Sequence, residues 1–410
     1  MNLLFKYHQT VERMHEGPLG PYMDSYAAEM LKQSYATATA QAHIRLLADF
    51  SRWLAKRRLT PKEITTELFP SYLRSRRTRH WRITYNDPSA LKQMFNLLVR
   101  QGVIPEIPQP PPTPAEQLQD EFASYLRQER GLATPTICLH LSFVGKFLAE
   151  RFGAGPVDLS TLSSSDVIDF VRRRAASKQT EYAKSQNTAL RAFLRFGRYR
   201  GDLHADLAAC VPSVANGHFS TLPRAIPPDQ TELVLASCDR TTSVGRRDYA
   251  ILLLLARLGL RAIELVHLHL EDLDLQNGWI TVRGKGGRLS QLPLPVDVGE
   301  AIADYLRNAR PKSASRCVFL RATAPITGFK GSTTVGGVVR QALSRAGIHS
   351  PLKGAHQFRH GLATRMLQQG ASLSEIAELL RHRSIRTTEL YARVDIDTLR
   401  TLALPWPGRS

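Results

Sequence analysis

Residues 356–367 read HQFRHGLATRML, and residues 379–394 read LLRHRSIRTTELYARV. On a helix, His356 and Arg359 stand at i and i+3 and share one face. An arginine beside a histidine on that face makes an anion site. A metal reading needs a third ligand and a carboxylate, and no HExxH pattern is present. His382 lies nine residues before Tyr391. A tyrosine in a helical stretch is ordinarily a core or rim aromatic, so Tyr391 gains weight only from the cations around it.

Two further boxes lie upstream. In LGLRAIEL (258–265), Arg261 follows a Leu-Gly-Leu turn and Glu264 falls three residues on, where its carboxylate can orient the guanidinium. An ordinary helix ion pair is the competing reading. In RGKGGR (283–288), three glycines surround Lys285 between two β-rich runs, WITVR (279–283) and LSQLPL (289–294). That pattern predicts a hairpin whose stripped tip leaves Lys285 free to reach a substrate. It lacks P-loop spacing, and a flexible basic turn is the alternative. Arg283 and Arg288 flank the tip as candidate DNA contacts.

Taken in order, Arg261, Lys285, His356, Arg359, His382 and Tyr391 resemble the catalytic signature of the tyrosine recombinases, the phage integrase family. The resemblance is specific over about residues 225–400. One departure stands out: the family usually has Leu-Gly-His before the tyrosine, and Arg381 replaces that glycine here. It implies a changed turn before His382 or an added DNA contact. The resemblance implies that Tyr391 attacks a DNA phosphodiester and forms a 3′-phosphotyrosyl link. Arg261 and Arg359 would bind the charge that gathers on the non-bridging oxygens, and His382 would add a hydrogen bond. Neighbouring cations would favour the Tyr391 phenolate, with His356 helping to move its proton. Lys285 would protonate the leaving 5′-oxygen, and Glu264 would support Arg261. Neither metal nor other cofactor is implied. The partners expected are double-stranded DNA and further copies of the chain, or related recombinases, as a tetramer at synapsis.

The rest of the chain agrees with a polyanionic partner. Of 410 residues, 55 are Lys or Arg and 36 Asp or Glu, a net charge of +19, which points to nucleic acid. The surplus is spread, at +7 over 1–115, +2 over 116–210 and +10 over 211–410. The longest apolar run, Ala250–Ala256, is far too short to span a bilayer. Met1–Gly20 has no signal-peptide core. Four scattered cysteines form no CxxC pair or disulfide framework. A bacterial cytoplasm, in association with the nucleoid, fits best.

Proline-rich IPEIPQPPPTP (104–114) and VPSVANGHFSTLPRAIPP (211–228) divide the chain. The expected organisation is an N-terminal helical module (1–104), a linker (105–114), a helical SAM-like core-binding domain (115–210), a linker (211–224) and a catalytic domain (225–410). The first two modules look like copies of one plan: Trp53-Leu54-Ala55 falls on Phe147-Leu148-Ala149, Ala90-Leu91-Lys92 on Ala189-Leu190-Arg191, and Gly102 on Gly201. Apolar residues at three-to-four spacing, such as Ile44, Leu47, Phe50 and Leu54, predict helical bundles. The fold class is therefore mainly α with one small β-sheet. Outward arginines of the bundles (Arg74, Arg76, Arg77; Arg172, Arg173, Arg174) and Arg381 are candidate phosphate contacts; solvated helix ends are the alternative. Two other functions remain open on the sequence: a DNA-binding protein of this fold without catalysis, and a type IB-like topoisomerase.

Overall fold

The computed structural model describes residues 1, 3–78, 83–84, 86–105, 111–175, 180–213, 225–284, 286–350, 354–382, 388 and 391. The chain is mostly helical with a three-stranded sheet, as the fold class expected. Two compact units separate: Met1–Glu106 together with Leu222–Ser410, and Ile107–Thr221. The N-terminal bundle thus groups with the C-terminal segment, although each has its own hydrophobic core.

The N-terminal bundle is built from helices His8–Met14, Met23–Lys32, Thr37–Lys56, Leu68–Thr78 and Asp87–Arg100. The three-to-four pattern of Thr37–Lys56 aims Ile44, Leu47, Phe50 and Leu54 inward, all buried. The other unit has helices Pro114–Gln128, Thr134–Phe152, Ser164–Ala175 and Thr180–Arg200 around Phe122, Val144, Phe147 and Phe193. The matched positions behave alike: Trp53 and Leu54 are buried as Phe147 and Leu148 are, and Leu91 as Leu190 is. Gly102 and Gly201 each adopt positive φ (+71° and +87°) just past the end of a matched helix, the left-handed stop that glycine reaches without strain.

In the C-terminal segment, helix Ser243–Leu258 carries Ala250–Ala256 through the core, each buried. Asp248–His267 carries a continuous apolar helical pattern that predicts one helix. The structure breaks it at Gly259, whose φ of +56° ends the long helix. A short helix, Ala262–Val266, restarts with Arg261 at its N-cap. The break escapes the pattern because Leu258, Leu260, Leu265 and Val266 are buried on both sides of it. Strands Leu273–Asp274, Trp279–Arg283 and Leu289–Pro293 pair antiparallel in sequence order. Arg283 stands opposite Leu289, and Ile280, Val282 and Leu292 face the core. The expected hairpin is therefore present, though Lys285 at its tip lies outside the described residues. Helices Val296–Asn308, Ser332–Arg345, His356–Gln368 and Leu373–Leu379 complete the segment. A further helical pattern reads over 385–403, where only residues 388 and 391 are among those described. Among the described residues no helix is long and apolar enough to cross a membrane.

Candidate active site

Three chain breaks bring the site together: the Gly259 turn, the start of helix His356–Gln368, and the turn after helix Leu373–Leu379. Arg359 ties them. It is 3% exposed, and its Nη1 donates to the Gly259 carbonyl at 2.6 Å. Its Nη2 donates to the Leu380 carbonyl. Burial, followed by the charges of Arg261 and Arg381, pushes its pKa down to about 9. It remains a cation at neutral pH.

Arg261 lies near enough for its charge to be felt by Arg359, and Glu264 holds it. The Glu264 carboxylate is 1% exposed. It accepts from the Arg261 backbone N–H at 2.8 Å and from Arg261 Nη1 at 2.8 Å. The i,i+3 pair expected from the sequence therefore forms, and it caps the short helix as well. Arg261 Nη2 reaches the Arg381 carbonyl at 3.4 Å.

The nucleophile candidate is enclosed. Tyr391 is 2% exposed, and its hydroxyl lies 2.9 Å from Nδ1 of His360. Burial pushes its pKa up to about 12, against a smaller opposing pull from Arg359. The expectation that neighbouring cations favour the phenolate is thus corrected: desolvation of the charged form outweighs the cation. His382 lies parallel to the Tyr391 ring, 6.4 Å between centroids with 4° between planes. Its Nδ1 is 2.7 Å from Thr388 Oγ1. Burial, then Arg359, Arg261, His360 and Arg381, lowers its pKa to about 4. His360 is lowered to about 4 as well, by burial, His356 and Arg359. Both imidazoles are therefore neutral at pH 7. A neutral donor or acceptor of this kind avoids placing further positive charge beside two guanidinium groups.

His356 stacks on His360 at 5.8 Å between centroids and 27° between planes. Partial desolvation, then Arg359 and Arg261, lowers its pKa. His356 was expected to move the tyrosine proton. The structure gives the Tyr391 contact to His360, one helical turn further on. Sequence reasoning missed His360, although its i+4 spacing from His356 on the same helix was a readable signal. It missed Thr388 too, which is buried beside His382.

The remaining arginines divide by exposure. Arg74, Arg77, Arg172 and Arg288 are exposed. Arg173 and Arg174 pair with Glu150 at 2.8 and 3.2 Å, and Arg283 pairs with Asp272. Arg76 corrects an expectation. It is 9% exposed and pairs with Asp49 at 3.5 Å and Asp87 at 3.9 Å, with Tyr72 accepting at 3.2 Å. A guanidinium so enclosed is part of the bundle core and does not point outward. The Arg381 side chain is 10% exposed and turns inward, pairing with Glu264 at 2.8 Å. Among the described residues no three His, Cys, Asp or Glu side chains converge to hold a metal.

Residues 224–397 match the model of the phage integrase family, a span that includes all six signature residues. Over 402 residues the chain is 46% identical to a protein of Sinorhizobium fredii (strain NBRC 101917 / NGR234) named as an integrase/recombinase, y4rA, covering 98% of this chain and 97% of that one. It is 32% identical over 288 residues to tyrosine recombinase XerD of Listeria monocytogenes serotype 4b (strain F2365), covering 68% of this chain and 94% of that one. Among solved structures, the site-specific recombinase XerH, bound to its palindromic difH substrate, superposes with a TM-score of 0.55 at 18% identity, covering 71% of this chain and 85% of that one. That likeness concerns the fold. The chain belongs to the phage integrase family, the tyrosine recombinases, whose work is site-specific recombination.

Proposed function

We propose that this chain cuts and reseals duplex DNA at a specific site through Tyr391. The phenol oxygen attacks the scissile phosphorus, a P–O bond to tyrosine forms, and the bond to the 5′-oxygen breaks. The tyrosine proton passes to a neutral imidazole, and His360 is the one in hydrogen-bond reach. The leaving 5′-oxygen takes a proton from Lys285. Negative charge gathering on the non-bridging oxygens is held by Arg261 and Arg359, with His382 as a further donor. Reversal by a 5′-hydroxyl restores the phosphodiester. The bond energy stays in the phosphotyrosine, so the cycle needs no nucleotide. Two permanent cations supply what a metal would.

The single observation that carries this reading is the convergence of Tyr391 with His360, His382 and the buried Arg359 in one enclosed site. The attack needs a phosphate about 3–3.5 Å from the phenol oxygen, so DNA binding must bring the backbone into this enclosure. Residues 115–210 serve in this reading as the DNA clamp, with 1–104 a second helical module of similar plan. Exposed Arg74, Arg77 and Arg172 are suited to phosphates. Four copies would hold two sites at synapsis, on bacterial DNA.

A nicked duplex, which loses a short strand after cleavage and cannot reseal, tests the reading. Covalent protein–DNA adduct is expected from the wild type. Its absence on DNA flanking the chain's own gene and on a pool of randomised nicked duplexes would overturn the reading. Relaxation of supercoils without pairing of two sites would replace recombination with topoisomerase action.

A further inference from the structure

Arg381 stands where the family usually has glycine, and the structure shows what an arginine does there. Its φ is +53°, a left-handed conformation that glycine enters freely and arginine only at a cost. The side chain folds back into the site. Its Nη2 donates to Glu264 Oε2 at 2.8 Å, and its Nη1 to the Leu379 carbonyl at 3.2 Å. Glu264 Oε2 also accepts the Arg261 backbone N–H, while Oε1 accepts Arg261 Nη1. One buried carboxylate therefore serves two guanidinium groups, and the Arg381 carbonyl faces Arg261 Nη2.

With glycine at 381, Glu264 would offset Arg261 in full, leaving that pair near neutral in a site that must bind an anion. With arginine, the three groups carry one net positive charge. In a poorly hydrated site a fixed charge is felt strongly by a developing anion.

We propose that Arg381 is a positioning residue that acts through Glu264: it offsets the buried carboxylate and holds it in place, so that Arg261 presents its charge to the scissile phosphate. This rests on the transesterification reading above. It makes Arg381 part of the catalytic electrostatics of this chain and assigns it no contact with DNA.

The test compares wild type, R381G, R381K, E264Q and the E264Q/R381G double variant on the nicked duplex. The measurements are first-order cleavage rate, duplex affinity and thermal melting. R381G relieves the backbone while removing the guanidinium, so melting separates misfolding from lost electrostatics. Cleavage by R381G is expected to slow about ten- to a hundredfold, with duplex affinity unchanged and R381K recovering part of the loss. In the E264Q background, where the carboxylate charge is gone, adding R381G should cost less than about threefold. An equal loss in both backgrounds, or a loss of affinity that accounts for the loss of rate, overturns the proposal. A wild-type rate from R381G, with adduct forming normally, overturns it while leaving the recombinase reading intact. No adduct from the wild type would be the failure of that reading itself.

Discussion

The Tyr391 hydroxyl is 2.9 Å from Nδ1 of His360, and the two groups lean apart in acidity, with the phenol near 12 and the imidazolium near 4. At neutral pH the proton between them rests on tyrosine and the neutral imidazole nitrogen accepts the hydrogen bond; the gap opposes transfer in the free protein, so phosphate binding must narrow it before the proton moves. His360→Gln should keep a hydrogen-bond partner for the phenol but no base of useful strength, slowing adduct formation about a hundredfold. Rates on the nicked duplex check this. A wild-type rate would remove His360 from the proton path.

The same histidines make stability pH-dependent. His360 and His382 both have folded pKa values near 4, below the ordinary imidazole value of about 6.5. Between those values the unfolded chain binds more protons, so stability is full above about pH 6.5 and falls as the pH drops towards 4. Thermal melting should fall by a few degrees between pH 7 and pH 5. A His360→Gln/His382→Gln variant should lose part of that slope. An unchanged slope would mean that other groups set it.

Much of this site was legible in the sequence because its chemistry sits in short boxes. Arg261 with Glu264 and His356 with Arg359 are three residues apart, a spacing that helical periodicity brings to one face, whereas His382 and Tyr391 are nine apart and meet through the fold. What periodicity does not encode is which polar side chain turns inward. Arg76 and Arg77 are neighbours, yet Arg76 is enclosed by Asp49, Asp87 and Tyr72 while Arg77 is exposed. Arg381 belongs with Glu264, 117 residues away, a pairing set by where the chain turns at Gly259 and Leu380. The break of the long helix at Gly259 was hidden because apolar residues continue through it.

Arg76 and Arg77 should therefore respond differently to mutation. Arg76→Ala takes from buried Asp49 and Asp87 the guanidinium that pairs with both and should cost about 3–5 kcal/mol, read as a loss of denaturation midpoint. Arg77→Ala should leave stability within about 0.5 kcal/mol and reduce the salt dependence of duplex binding by roughly one phosphate contact. Equal stability losses from the two would contradict the assignment.

Gly259 is the hinge of the site's architecture. An added Cβ would lie 2.8 Å from Leu380 Cδ2 and 3.1 Å from Leu362 Cδ2, in a backbone conformation of φ +56°. Gly259→Ala should cost about 2–4 kcal/mol from the left-handed backbone and overpacking together. It should also slow cleavage, because the Gly259 carbonyl receives Arg359. Denaturant unfolding and adduct rates measure the two effects. A stable, fully active variant would show that the turn tolerates a side chain and that Arg359 does not depend on it.

In the reaction proposed, Tyr391 becomes covalently joined to DNA. Peptide mass spectrometry of the adduct trapped on a nicked duplex tests it most directly. The predicted result is a nucleotide linked through 3′-phosphate to the peptide containing Tyr391, with Tyr391→Phe binding the same duplex and yielding no adduct. An adduct on another residue, or one that persists in Tyr391→Phe, would contradict the account.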